Sequence, residues 1–167
     1  MIKTVSKRDV YISYFKENFS MDRLTAKSPI VVNINKPANR LWACPINAKY
    51  SWKDWCESEE IFLDSFNHYI KFTLEEGSQI LQIEYKDVKN FDDDSNYLKK
   101  YITISNFTSS PELDYNKLLK DGIVAVQLMS AAIGHYFINR FEANFNAWDC
   151  ESIVVLDHSK IKILEEL

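Results

Sequence analysis

Short apolar stretches separated by polar turns dominate the chain, and most are too short to be helices. Val10 to Phe15 (VYISYF) is aromatic and β-rich and predicts a first strand. Ile30-Val31-Val32-Asn33-Ile34, introduced by Pro29, predicts a second. Pro37 makes a turn, and Arg40-Leu41-Trp42-Ala43-Cys44 follows as a third strand, stopped by Pro45. Tyr69 to Leu74 and Gln79 to Tyr85 flank Glu75-Glu76-Gly77-Ser78 and together predict a hairpin. Ile123 to Leu128 reads as a buried strand, and Ser152 to Leu156 and Ile161 to Leu164 as the closing strands.

Helical signals fall between these stretches. Ser51 is placed to cap a helix, with Asp54 at the third helical position. Trp52 and Trp55 lie three apart and share a face of that helix while Lys53 and Asp54 point outward, which predicts a buried Trp55. Asp92-Asp93-Asp94-Ser95-Asn96 lacks the glycine and the alternating acids of a calcium loop and reads as a solvated loop that caps a following helix. Ser110-Pro111-Glu112-Leu113-Asp114 opens a short helix from Tyr115 to Lys120, with Gly122 where a C-terminal glycine belongs. Met129 to Phe141 is apolar on most faces and predicts a packed helix. His135 on that helix reads as a core or interface histidine, and His68 and His158 are scattered elsewhere. The alternation predicts one α+β domain over residues 1–167, with a mostly antiparallel two-sheet core and flanking helices.

Composition narrows the function. At 167 residues, 46% hydrophobic and 26% charged, the chain is globular rather than disordered. Three glycines leave no material for a glycine-rich phosphate loop. A net charge of -4 argues against a general nucleic-acid binder, which needs a basic stripe. No apolar run approaches the roughly 18 residues of a membrane span, and the N-terminus has no signal-peptide core, so no membrane partner is expected. Cys44, Cys56 and Cys150 fit neither a zinc pattern nor a disulfide framework, which points to no metal and to a reducing, cytoplasmic setting.

Candidate chemistry gathers near the C-terminus, where Trp148-Asp149-Cys150-Glu151 leads into the apolar Ser152-Ile153-Val154-Val155-Leu156. Carboxylates are rarely fully buried unless paired. If the strand starts early, Asp149 and Glu151 point the same way and either resist joint ionisation or share a positive partner. The plainer alternative is that they mark the end of a loop.

Glu151-Ser152-Ile153-Val154 resembles the closing segment of ADP-ribosyltransferase folds, and Asp149-Cys150-Glu151 resembles the Glu-x-Glu motif of arginine-directed toxin transferases, with Asp in the first place. Lys36-Pro37, Leu41-Trp42-Ala43-Cys44 and Ser51-Trp52-Lys53-Asp54-Trp55-Cys56-Glu57 are similar, in the same order, to small phage- and mobile-element-borne members of that superfamily. Leu113-Asp114-Tyr115-Asn116-Lys117-Leu118, followed by Asp121-Gly122-Ile123, looks like a further shared stretch.

The resemblance implies a mono-ADP-ribosyltransferase that uses NAD+ as substrate and modifies a protein or nucleic-acid target in a host or its defences. Its alternative is a catalytically inactive protein of the same fold that inhibits such a factor by occupying it. Departure of nicotinamide leaves an oxocarbenium-like sugar, which a fixed carboxylate stabilises. The resemblance gives that role to Glu151, and to Asp149 that of orienting or activating the acceptor. Ser13 and Tyr14 on the first strand, and Trp42, Ala43 and Cys44 on the third, would hold the cofactor. Transferases of this fold carry His or Arg on the first strand; here that strand offers Ser13, with Arg8 a few residues earlier.

Overall fold

A computed structural model describes residues 1–24, 30–33, 36–89, 93–104, 111–129 and 148–167. In chain order, β1 (Ile2–Thr4) and β2 (Tyr11–Phe15) are followed by a two-residue ribbon of β3 (Val32–Asn33) and β4 (Lys36–Pro37), then by β5 (Leu41–Pro45). Helix α1 (Trp52–Glu59) leads to β6 (His68–Leu74), β7 (Gln79–Ile83) and α2 (Tyr85–Lys89). A second ribbon, β8 (Ile102–Ile104) with β9 (Pro111–Leu113), precedes α3 (Tyr115–Lys120), β10 (Ile123–Leu128), β11 (Ser152–Val155) and β12 (Ile161–Glu166).

The fold is α+β and rich in sheet. Among the described residues, eight strands form one open sheet in the order β1-β7-β10-β11-β5-β2-β6-β12. Every neighbouring pair is antiparallel except β7 and β10. Where a two-sheet core was expected, the eight strands form one sheet that bends. Strands β2 and β5 share only the pairs Tyr11–Pro45 and Ile12–Cys44, whereas β2 and β6 pair along five residues. Beyond that bend, Ile70, Phe72 and Leu74 of β6 pack in one core with Ile80, Ala125 and Ile153, from strands far away in the sheet order. The sheet therefore coils over itself around this inner core. Its other face is covered by a second core, in which Leu81, Val126 and Val154 meet Val88 of α2, Tyr115 and Leu118 of α3, and Trp148.

Local signals set several elements. Ser51 and Asp54 form a reciprocal capping box, with Ser51 N donating to Asp54 Oδ2 at 2.7 Å and Asp54 N to Ser51 Oγ at 3.3 Å. Asp114 caps α3 through Lys117 N at 2.9 Å. Gly122 follows α3 at φ +83°, a conformation that glycine takes without a Cβ penalty. Asn96 caps the 3-10 turn Tyr97–Tyr101, as the acidic loop before it suggested. All six residues of β10 are buried, the pattern of a strand covered on both faces.

Several expectations change: Pro37 pairs in β4 rather than making a turn, and Tyr85 opens α2 rather than ending a strand. The hairpin is absent: β6 pairs with β2 and β12, and β7 with β1 and β10. Ile80 to Ile83 are buried at four consecutive positions, so β7 is a central strand covered on both faces, while β6 alternates in burial. The connecting turn spends its backbone bonds on β1's end instead, with Gly77 N donating to Val5 O at 3.1 Å and Val5 N to Ser78 O at 2.8 Å. Trp55 is half-buried, and the buried residue of α1 is Cys56. Pro111 to Leu113 pair as a strand rather than as a lead-in to α3. Ile34, Asp92, Ser110, His135 and most of the helix expected from Met129 to Phe141 lie outside the described residues.

Candidate functional site

The pairing of β2, β5 and β11 builds an aromatic cleft of about 280 Å³. Ile12, Ser13 and Tyr14 come from β2, Trp42, Ala43 and Cys44 from β5, and Trp148, Asp149 and Cys150 from the segment entering β11. Lys36, Trp52 and Ser152 complete the wall. All five residues expected at a cofactor, Ser13, Tyr14, Trp42, Ala43 and Cys44, line this one cleft, and Asp149 lines it with them. Adjacent strands in antiparallel register account for the convergence, because Ile12 stands opposite Cys44 and Trp42 opposite Val154.

Much of the polar lining is committed to the fold. Ser13 Oγ donates to Trp42 O at 2.6 Å and so ties β2 to β5 beyond the end of their ladder. Cys44 Sγ accepts from Trp52 N at 3.1 Å, anchoring the start of α1, and lies 4.0 Å from Cys150 Sγ. Ser152 Oγ lies 3.2 Å from Cys150 Sγ and donates to Cys150 O at 2.9 Å. Both thiols are free and buried. The hydrogen bond to Cys150, together with burial, pushes the Cys44 thiol well up, and the same bond draws Cys150 down.

What remains for a ligand is aromatic surface and one ion pair. Trp42 meets Trp148 edge to face, with centroids 4.7 Å apart at 70°. Lys36 Nζ stands 5.5 Å from the centroid of the Trp42 ring and 3.7 Å from Asp149 Oδ2. The cleft thus holds a positive charge between an aromatic face and a carboxylate. Comparison of the chain with known protein families, with curated proteins and with solved structures finds no match. The chemistry of the site therefore rests on its own geometry.

Asp149 and Glu151 do not share a face. Strand β11 begins at Ser152, so residues 149–151 precede the paired strand, and Glu151 N donates to Tyr50 O at 3.1 Å. Ser152 faces the aromatic cleft, whereas Glu151 lines a separate cavity of about 450 Å³ with Tyr11, Gln82, Gln127, Arg8 and Lys49.

Lys36, Trp148 and Cys150 were not singled out as site residues from sequence. The signal for Cys150 was its spacing of two from Ser152, which lines the same cleft. For Gln82 and Gln127 the signal was one polar side chain in each of two otherwise apolar runs, residues 80–83 and Ile123–Leu128. They stand in register on β7 and β10, and both are buried. Within the described residues no three His, Cys, Asp or Glu side chains are grouped to hold a metal, and no helix is long and apolar enough to cross a membrane.

Proposed function

We propose that the aromatic cleft binds NAD+ through its cationic nicotinamide ring, and that the protein is an ADP-ribosyltransferase-like binding protein rather than a transferase built on Glu151. The observation that carries this reading is the Lys36 ammonium held between Trp42 and Asp149. A pyridinium in the same place gains from both partners and adds stacking, at about 0.5–2 kcal/mol for the cation–π part. Lys36 is about 40% exposed at its side chain and can swing outward to admit the ring. The resemblance to ADP-ribosyltransferases supports the choice of ligand, since the residues it assigned to the cofactor line this cleft.

The carboxylate expected to stabilise the sugar cation, Glu151, opens onto the other cavity. A second reading keeps catalysis: an NAD+-dependent mono-ADP-ribosyltransferase acting on a host or defence macromolecule, with Asp149 as the acid beside the anomeric carbon. Asp149 favours it as the one carboxylate lining the cleft among the described residues. Titration of NAD+ against wild type, Trp42→Leu and Glu151→Gln, followed by nicotinamide release, separates the readings. Binding is expected in wild type and Glu151→Gln, weakened about 2- to 30-fold in Trp42→Leu, with no release. Nicotinamide release by wild type that Asp149→Asn abolishes selects the transferase. No saturable NAD+ binding overturns both.

A further inference from the structure

We propose that the cavity beside Glu151 is a second binding site, for a small zwitterion of the α-amino-acid type, with Glu151 taking its ammonium group and Arg8 and Lys49 its carboxylate. The cavity holds about 450 Å³, within the range of roughly 300–1,000 Å³ for small-molecule sites. Glu151 is only 5% exposed, and its carboxylate has no hydrogen bond or ion pair among the described residues. Tyr11, 2% exposed, points a hydroxyl that likewise lacks a hydrogen-bond partner, and it lines the same cavity. A buried hydroxyl without a partner is costly, and it belongs to a side chain that lines the same cavity as a carboxylate which no described side chain pairs.

The deficit has a chemical shape. Gln82 Nε2 donates to Gln127 Oε1 at 3.5 Å, which leaves the Gln82 side-chain oxygen Oε1 without a donor among the described residues. The Glu151 carboxylate, the Tyr11 oxygen and that side-chain oxygen give three acceptors, the number an ammonium group satisfies. Among the described residues the surrounding side chains do not form a metal-binding group. At the cavity's edge, Asp9 already holds Lys3 at 2.7 Å and Glu84 holds Lys86 at 2.9 Å. Arg8 and Lys49 line the cavity, are exposed, and form no ion pair among the described residues. A carboxylate and two cationic side chains lining one cavity complement a ligand that carries an ammonium and a carboxylate.

The test is a thermal-shift series on the full chain with each standard L-amino acid, then calorimetry of the best binder against ethanolamine, which lacks the carboxylate, and propionate, which lacks the ammonium. At least one amino acid is expected to bind saturably, with ethanolamine and propionate weaker by at least about tenfold, the scale of one charge-assisted hydrogen bond. Glu151→Gln is expected to weaken that binding by at least about tenfold. The doubly substituted Arg8→Ala, Lys49→Ala chain changes only exposed side chains and is expected to weaken it by about 3- to 10-fold. Absence of binding by every amino acid, or unchanged affinity in both variants, overturns the proposal. Ethanolamine binding as tightly as the amino acid overturns the zwitterion. The NAD+ reading fails separately: Trp42→Leu acts on NAD+ and leaves the amino acid's affinity unchanged.

Discussion

Trp148→Ala removes the largest of the fully buried side chains among the described residues. A buried tryptophan covers roughly 150–250 Å². At about 25 cal/mol per Å² this gives a transfer term of about 4–6 kcal/mol as an upper bound. The ring also meets Trp42 edge to face at 4.7 Å, worth about 0.5–1.5 kcal/mol beyond area. Measured Trp-to-Ala costs run at about 3–5 kcal/mol because the site partly relaxes, so about 4 kcal/mol is expected here. Trp55→Ala is the internal control. Its ring is half-buried and stacks on Trp52 at 4.8 Å and 23°, so about 1–2 kcal/mol is expected. Urea unfolding followed by circular dichroism reads both, since each variant removes one of the four tryptophans and so alters the fluorescence signal itself. Trp148→Ala costing less than about 2 kcal/mol, or Trp55→Ala costing as much as Trp148→Ala, refutes the two-core packing described above.

Three further outcomes follow from particular contacts. Ser51→Ala should cost about 1 kcal/mol in the same assay by removing the cap of α1, and an unchanged midpoint would show that the capping box does not stabilise the protein. Burial pushes His158 below the ordinary histidine value; its Nδ1 lies 3.3 Å from Leu24 O, and its buried Nε2 has no partner. Its contribution to stability is therefore present above the unfolded pKa of about 6.5 and is lost as pH falls toward the lower folded value. His158→Leu should flatten the acid limb of stability between about pH 7 and 5, and a limb of unchanged slope contradicts the assignment. Lys36→Gln should strengthen NAD+ binding by about 2- to 5-fold, since it frees the Trp42 face and the Asp149 carboxylate; weakened binding would make Lys36 a ligand contact instead.

Local chemistry was the readable part of the fold. Strand β10 and helix α3 follow the sequence residue for residue, because an unbroken apolar run and an Asp cap with a trailing glycine are short-range signals. The pairing of strands was not readable in the same way. Four turn residues between β6 and β7 suggested a hairpin, yet β7 is apolar on both faces, and β1 and β10 take its two edges. Strand β1 and helix α2 gave no comparable local signal and form against tertiary partners: Ile2 pairs with Leu81, and Val88 packs in the outer core.

The site was half readable. Its aromatic and small residues on β2 and β5 came from motif order, and their convergence follows from strand neighbours. The separation of Asp149 from Glu151 depended on where β11 begins. A shift of that start decides which cavity a carboxylate enters, and sequence patterns fix strand ends only to within a few residues.

Calorimetric titration of NAD+ and NADH into wild type and Asp149→Asn tests the central claim most directly. The two ligands differ in the charge of the nicotinamide ring, the feature that the Trp42 face and the Asp149 carboxylate read. NAD+ should bind wild type about 5- to 30-fold more tightly than NADH, and Asp149→Asn should narrow that ratio by loss of NAD+ affinity alone. Equal affinities for the two ligands in wild type, or a preference for NADH, would contradict the account.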